Sequence, residues 1–197
     1  MLDQKLRAGW DRMARPVGKA IGRSGISANA LTTAGLLIQG VVAWAIIDGR
    51  LVLAGLVAIA GALADGFDGA VAKAKGQASP FGAFYDSTVD RISDALYFVP
   101  LAWLYGVAPD IPGHDDPRVA ALALVTLVAS FMVSYVRARA EGLGFDAKVG
   151  IAERAERVIL IIAGLLFDIV PIALAILGAL SIVTFLQRVF HVRAQAR

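Results

Sequence analysis

Four aspartates stand close together in a chain that is otherwise strongly apolar. Asp65 and Asp68 are three residues apart. Asp86 and Asp90 follow at a spacing of four. On helices these spacings share one face, so two helices could direct all four carboxylates to one point. A carboxylate at membrane depth costs about 2.5–3.5 kcal/mol, and whole proteins are stable by only ~5–15 kcal/mol, so we expect a ligand that neutralises the four.

Oxygen ligands from several carboxylates suit hard divalent cations, Mg²⁺ above all or Mn²⁺. The chain has no Cys, and neither of its two His residues lies near the aspartates, which argues against zinc or another soft metal. Gly and Ala are frequent between residues 61 and 83. Such small residues let helix backbones approach closely in lipid and let a phosphate approach the backbone. The stretch therefore predicts a magnesium or manganese site that can also hold a phosphate ligand.

The composition is that of a membrane protein. Of the 197 residues 58% are hydrophobic, and the mean hydropathy is +0.69. Three uncharged runs are long enough to span a bilayer: Ala30–Ile47, Val119–Val136 and Ile169–Leu186. Three shorter runs are extended at one end by charged residues: Leu51–Ala64, Ala95–Ala108 and Val158–Phe167. We predict an all-α integral membrane protein with six transmembrane helices.

Lys and Arg residues mark one side of the predicted spans. They cluster before the first span and after the second, fourth and sixth, whereas the alternate connections are poor in cations. By the positive-inside rule, both termini are cytoplasmic. The charged ends of the second, third and fifth spans then fall on the same side. We therefore expect a protein of the cytoplasmic membrane, with a polar cavity open to the cytoplasm.

The whole chain, 1–197, is predicted to form a single membrane domain, with an N-terminal helix at 1–24 and a six-helix bundle at 25–192. Apolar residues recur at spacings of three and four in the first 20 positions, with basic residues between them. This pattern is typical of an amphipathic helix that lies in the membrane interface and faces anionic headgroups. An ordinary juxtamembrane segment with topogenic charges is the alternative.

Polar residues near the start of the first span and the end of the second could serve a ligand. Ser27 or Asn29 is suited to cap the first span. Together with Thr32 these side chains could instead reach a polar ligand at the cytoplasmic mouth. Lys73 lies one helical turn past Gly69, so its long side chain could reach a phosphate beside the carboxylates. A simple inside-positive flank is the other interpretation of Lys73.

Three arginines fall close to the apolar boundaries of the fourth, fifth and sixth spans: Arg137, Arg157 and Arg188. A cation at such a position must snorkel, pair with an acid or bind a ligand. Arginine clusters suit phosphate because the planar fork donates two parallel hydrogen bonds. We therefore predict a phosphate site here, with a purely topogenic role as the alternative. Arg91, in the third span, is expected to pair with a neighbouring aspartate.

The aspartate stretch resembles the CDP-alcohol phosphotransferase family, which is marked by the pattern Asp-x2-Asp-Gly-x2-Ala-Arg-x8-Gly-x3-Asp-x3-Asp. The sequence matches seven of its eight fixed positions: Asp65, Asp68, Gly69, Ala72, Gly82, Asp86 and Asp90. The exception is Lys73, where the family usually has Arg. Lys keeps the charge but loses the fork, so its contact with a diphosphate need not match that of Arg.

The resemblance implies a homodimeric membrane enzyme with six helices per subunit. It would transfer a phosphatidyl group from a CDP-linked lipid, CDP-diacylglycerol, to an alcohol and release CMP, with no nucleic acid as partner. Asp65, Asp68 and Asp86 would hold two Mg²⁺ or Mn²⁺ ions. Asp90 would also lie near the metals and act as the general base. The CDP site would be lined by Asp65, Asp68, Gly69, Lys73, Ser79 and Gly82, to which we add Asn29 and Thr32.

The acceptor is predicted from the basic residues. The segments Ser134–Glu141 and Ile151–Arg157 are similar to those of the phosphatidylinositol phosphate synthase branch of the family. In that branch Arg or Lys at these places binds the phosphate of inositol phosphate, so Arg137, Arg157 and Arg188 would form the acceptor phosphate site. Glycerol 3-phosphate also carries a phosphate, which makes a phosphatidylglycerophosphate synthase the alternative. An archaeal ether-lipid enzyme would have a similar sequence.

Two functions of other classes remain. Carboxylates inside a membrane also form the pathways of cation or proton transporters, but these need polar groups that continue to the far side. The external halves of the second and third spans are apolar. A relative that has lost catalysis and acts only as a scaffold is the other alternative, and the four intact aspartates argue against it.

Overall fold

The computed structural model describes residues 27–75, 79–108, 111 and 113–197 of the chain, and of residues 28 and 64–75 it describes only the backbone. The predicted interfacial helix at 1–24 lies outside the described residues. Within them the structure is all-helical and contains no strand. The described residues form six helices: α1 (Ala28–Ile47), α2 (Leu51–Lys75), α3 (Pro80–Gly106), α4 (Pro117–Gly142), α5 (Arg154–Leu166) and α6 (Val170–Gln195).

Each helix covers all or most of one of the six apolar runs of the sequence. Within the described residues, three helices are long and apolar enough to cross a membrane: Asn29–Ile47, Pro117–Gly142 and Val170–Gln195. These three correspond to the uncharged runs predicted as spans. In α2, Leu51–Leu63 forms a shorter apolar segment. The charged ends of α2 and α3 remain helical, and this keeps the aspartates on helices.

Local sequence signals explain where α3 and α4 begin. Asp116 precedes α4, and its Oδ1 accepts the backbone N–H of Arg118 at 2.9 Å. Pro117 takes the first helical position, where a missing N–H costs nothing. Ser79 and Pro80 repeat this arrangement at α3, where Ser79 Oγ accepts the N–H of Gly82 at 3.0 Å.

The chain divides into two compact units. The first comprises the described residues up to Gly40 together with Val57–Ser93. The second comprises Val41–Leu56 and Asp94–Arg197. The four aspartates belong to the first unit, and the three predicted acceptor arginines belong to the second.

Small residues allow close helix packing in the second unit. A Cβ added at Gly178 of α6 would lie 3.0 Å from Thr126 Oγ1 of α4. The Thr126 hydroxyl also donates to the carbonyl of Leu174 at 3.3 Å. A Cβ added at Gly164 of α5 would lie 2.7 Å from the Cβ of Ala173. Small residues and interhelical hydrogen bonds are the usual basis of helix association in lipid.

We expect Gly164→Ala to destabilise the protein, since the added methyl group collides with Ala173 at 2.7 Å and forces α5 away from α6. Overpacking of this kind costs about 1–3 kcal/mol. The measurement is the unfolding temperature of the purified protein in detergent. Gly40→Ala in α1 is the matched control, because a Cβ there meets nothing within 4 Å. A Gly164→Ala protein as stable as the Gly40→Ala protein would contradict this packing.

Candidate active site

The structure places the four predicted metal ligands on two helices. Asp65 and Asp68 lie in the last part of α2, and Asp86 and Asp90 lie one turn apart in α3. The Asp86 side chain is exposed, whereas that of Asp90 is 16% exposed. The side chains of Asp65 and Asp68 lie outside the described part of the chain. Convergence of all four therefore stays a prediction, and the described side chains alone form no cluster of three or more metal-binding residues.

The expectation that Arg91 pairs with an aspartate is confirmed. Its Nη1 lies 3.8 Å from Asp90 Oδ2 and also donates to the carbonyl of Ser87. The Arg91 guanidinium therefore lies along α3, close to Asp90, the predicted general base.

Three residues of the predicted CDP site come together where α1 and α3 begin. Ser79 Oγ accepts the N–H of Gly82 at 3.0 Å. A Cβ added at Gly82 would lie 3.2 Å from Ser79 Oγ and 3.7 Å from Asn29 Oδ1. Thr32 lies one turn further along α1 and is buried. Gly69 and Lys73 are in α2, in the stretch of which only the backbone is described.

A tyrosine that belongs to no sequence motif joins the same two helix starts. The Tyr85 hydroxyl lies 2.9 Å from Thr33 Oγ1. The Tyr85 ring stacks on that of Phe81, with centroids 6.1 Å apart. Thr33 in turn donates to the carbonyl of Asn29 at 2.8 Å. These contacts hold Asn29 beside Gly82, and the aromatic residues one helical turn apart were the only sequence signal for them.

Arg157, at the start of α5, is almost fully buried. Its Nη2 donates to Asp94 Oδ2 at 2.9 Å, and the two side chains are 4% and 5% exposed. The Nε of Arg157 is also buried and donates to no acceptor among the described residues. A buried donor without an acceptor costs roughly 1–3 kcal/mol.

Arg188 of α6 is 2% exposed. Its Nε donates to the carbonyl of Val149 at 2.8 Å, and its Nη1 donates to the carbonyl of Val133 at 2.7 Å. Within the described part of the chain, no carboxylate lies close enough to form a salt bridge with it. A buried cation normally needs an anionic partner, and Arg188 has no salt bridge within the described part of the chain.

Arg137 completes this group of basic residues. Its Nε donates to Glu141 Oε1 at 3.0 Å, one turn along α4. The charges of Arg137 and Arg157 both act on Arg188, together with those of Glu141 and Glu153. The structure thus brings the three predicted arginines from α4, α5 and α6 into one arginine cluster, and the role of that cluster in binding an acceptor stays a prediction.

Three residues of α6 hold the loop between α4 and α5 by hydrogen bonds. Thr184 Oγ1 accepts the N–H of Ala152 at 3.0 Å, and Arg188 holds the carbonyl of Val149 one turn later. Gln195 donates from Nε2 to the carbonyl of Asp146 at 2.6 Å and accepts its N–H at 3.0 Å. The loop therefore fixes the Arg188 guanidinium. No side-chain pattern could have predicted these contacts, because the loop contributes only backbone groups.

The model of the CDP-alcohol phosphatidyltransferase family matches residues 26–189. The chain belongs to this family. The resemblance inferred from the aspartate pattern is thus confirmed, and the protein is a transferase of phospholipid biosynthesis. Family membership places it among transferases, in preference to the alternative of a cation or proton transporter.

Individual relatives of this phosphatidyltransferase span nearly its full length. It is 38% identical to the archaetidylinositol phosphate synthase of Pyrococcus horikoshii, over 96% of this chain and 95% of the relative. It is 34% identical to the phosphatidylinositol phosphate synthase of Mycolicibacterium smegmatis, over 95% of this chain and 86% of the relative.

Solved structures of one protein are also similar to this phosphatidyltransferase. The crystal structure of Mycobacterium tuberculosis phosphatidylinositol phosphate synthase with CDP-DAG bound has a TM-score of 0.81 and 29% identity, covering 92% of this chain and 94% of that chain. The same protein in complex with manganese and citrate has a TM-score of 0.81 and 30% identity, covering 91% of this chain and 88% of that chain.

Proposed function

We propose that this enzyme transfers the phosphatidyl group of CDP-diacylglycerol to inositol phosphate and releases CMP. The observation that carries the choice of a phosphorylated acceptor is the arginine cluster. Arg188 is buried without a carboxylate partner in the described residues, and Arg157 has a buried Nε–H that no described acceptor takes. A phosphate monoester satisfies both, because its oxygens accept several hydrogen bonds and its charge compensates a cation. The names of the two relatives support the same acceptor.

The carboxylate set suits the divalent ions that the proposed reaction needs. Asp65, Asp68, Asp86 and Asp90 offer only oxygen donors, which fit Mg²⁺ or Mn²⁺. We propose that these residues hold two such ions. When bound, the ions offset negative charge on the nonbridging and leaving oxygens of the diphosphate. The manganese complex of the Mycobacterium tuberculosis protein supports this assignment.

The protein groups supply binding, orientation and proton transfer. We assign the cytidine diphosphate to Gly69, Lys73, Ser79 and Gly82, with Asn29 and Thr32 beside them. The acceptor's phosphate lies against the arginine cluster. Asp90 takes the proton of the attacking hydroxyl, whose oxygen bonds to the phosphorus that carries the lipid. The bond from that phosphorus to the bridging oxygen breaks, and CMP leaves with the electron pair.

The setting of the reaction follows from the charge pattern. The six helices are proposed to span the cytoplasmic membrane, with both termini and the site on the cytoplasmic side, since Lys and Arg lie mainly on that side. A homodimer is proposed from the family resemblance. The lipid substrate would enter from the bilayer, where the exposed apolar side chains of the helices lie.

Purified enzyme with Mg²⁺ and CDP-diacylglycerol tests the proposal through its release of CMP. The acceptors to compare are inositol phosphate, glycerol 3-phosphate and unphosphorylated inositol. We expect CMP with inositol phosphate alone, and none after chelation of the metal. Release with glycerol 3-phosphate but not inositol phosphate would replace the proposed function with phosphatidylglycerophosphate synthesis. Substituting the dialkyl-glycerol analogue of the lipid shows whether ether chains are preferred, as the name of the archaeal relative suggests.

A further inference from the structure

The ion pair of Asp94 and Arg157 is the one buried salt bridge among the described residues whose two side chains are both at least 95% buried. Asp94 lies outside the aspartate motif, one helical turn after Asp90 on α3. Its carboxylate Oδ2 accepts Nη2 of Arg157 at 2.9 Å. Neither the motif nor the arginine cluster predicts this contact, since the two residues are 63 positions apart.

The pair has a cost that packing alone does not explain. Removing two charges from water costs more than their attraction returns unless the geometry is very good, so well-packed apolar residues would often serve stability equally well. The guanidinium is also incompletely satisfied, because its buried Nε–H meets no described acceptor. Asp94 thus holds one nitrogen of Arg157, and another nitrogen of the same guanidinium is left without an acceptor among the described residues.

The three arginines of the cluster differ in their partners. Arg137 has Glu141 as its partner and Arg157 has Asp94. Arg188 donates to two backbone carbonyls, which fix its direction, and no described carboxylate forms a salt bridge with it. Arg188 therefore supplies the attraction for an anion, whereas Arg157 is neutralised and contributes a directed donor.

We propose that Asp94 is a positioning residue, which holds the Arg157 guanidinium so that its Nε–H meets the phosphate of the acceptor. The proposal rests on the function proposed above. It separates Asp94 from the four motif aspartates, because Asp94 acts through Arg157 and touches neither metal nor substrate. Orientation matters here since a hydrogen bond to a charged group weakens steeply when its geometry is lost.

Two substitutions separate geometry from charge. Asp94→Asn keeps an oxygen acceptor at the same place and removes the charge. Asp94→Glu keeps the charge and displaces the carboxylate by one methylene group. We expect Asp94→Glu to raise the KM for inositol phosphate ~10-fold, the loss that goes with one misplaced hydrogen bond to a charged group, with the KM for CDP-diacylglycerol unchanged. Asp94→Asn should leave the KM for inositol phosphate unchanged or lower.

A second readout does not depend on turnover. Inositol phosphate should raise the unfolding temperature of the wild type and of Asp94→Asn, and this shift should be reduced in Asp94→Glu. The reverse order, a normal Asp94→Glu and an impaired Asp94→Asn, would overturn the proposal and make Asp94 a simple counterion. If Asp94→Glu raised the KM for inositol phosphate and the KM for CDP-diacylglycerol equally, the proposal would also be overturned, and the ion pair would be purely structural.

The acceptor that the wild-type enzyme uses distinguishes a failure of the proposed function from a failure of the role of Asp94. If wild-type enzyme uses only glycerol 3-phosphate, the proposed function fails, and the same two variants are compared with that acceptor, which shares the phosphate. If wild-type enzyme uses inositol phosphate and the Asp94→Glu variant matches it in both KM and unfolding shift, only the role of Asp94 fails.

Discussion

Replacing Asp90 with Asn is expected to reduce kcat by ~10²–10⁴-fold, the range over which a positioned general base accelerates proton transfer. Asn keeps the size of the side chain and the helix but has no lone pair basic enough to take the proton of the acceptor hydroxyl. Asp90 is one turn from Asp86 on α3, and its side chain is mostly buried beside Arg91. The measurement is the rate of CMP release at saturating concentrations of both substrates.

The control for this variant is Asp115→Asn, which makes the same chemical change at an exposed position before α4. Both variants should unfold at the wild-type temperature, so any difference in their rates of CMP release reflects the reaction and not the stability of the fold. Near-normal turnover of Asp90→Asn would eliminate Asp90 as the base. Recovery of the lost rate at high Mg²⁺ would show instead that Asp90 acts mainly as a metal ligand, because raised metal can replace a lost ligand but not a lost base.

Arg188→Lys is expected to raise the KM for inositol phosphate ~10–100-fold although it preserves the positive charge. The guanidinium of Arg188 holds two carbonyls at once, those of Val149 at 2.8 Å and Val133 at 2.7 Å. A lysine ammonium is a single point and cannot span both while it also faces an anion. The loop between α4 and α5 then loses one of its three attachments to α6. The KM for CDP-diacylglycerol should change little.

Arg193→Lys serves as the matched control. Arg193 is exposed and lies on the same helix as Arg188, less than two turns away. A selective rise in acceptor KM for Arg188→Lys alone would support the phosphate site. If both variants behaved like the wild type, the charge of Arg188 and not its geometry would matter. If Arg188→Lys impaired both substrates equally, Arg188 would hold the fold and not the acceptor.

The sequence predicts the helices of this protein well because lipid leaves few alternatives. Each apolar run must satisfy its backbone within the segment, and helices do so. Hydropathy falls at the charged ends of α2 and α3. They are helical up to Lys75 and from Pro80 onwards. The aspartates were conspicuous for the same reason, since carboxylates are rare in so apolar a chain.

The partners of the site residues were much harder to predict. Arg91 was expected to pair with a nearby acid, and it does so at Asp90. The acid that pairs with the buried Arg157, however, is Asp94 on another helix. Arg188 is held by backbone carbonyls, which every residue possesses, so no residue type reveals them. Contacts between distant segments depend on packing that a single sequence does not display.

In the proposed reaction this enzyme joins a phosphatidyl group to a polyol that keeps its own phosphate. The direct test uses inositol phosphate radiolabelled in that phosphate, with CDP-diacylglycerol and Mg²⁺. We predict that the label enters the lipid fraction in equal amount to the CMP released. Release of CMP while all label stays in the aqueous phase would contradict the account, because the lipid would then have been transferred to water or to another acceptor.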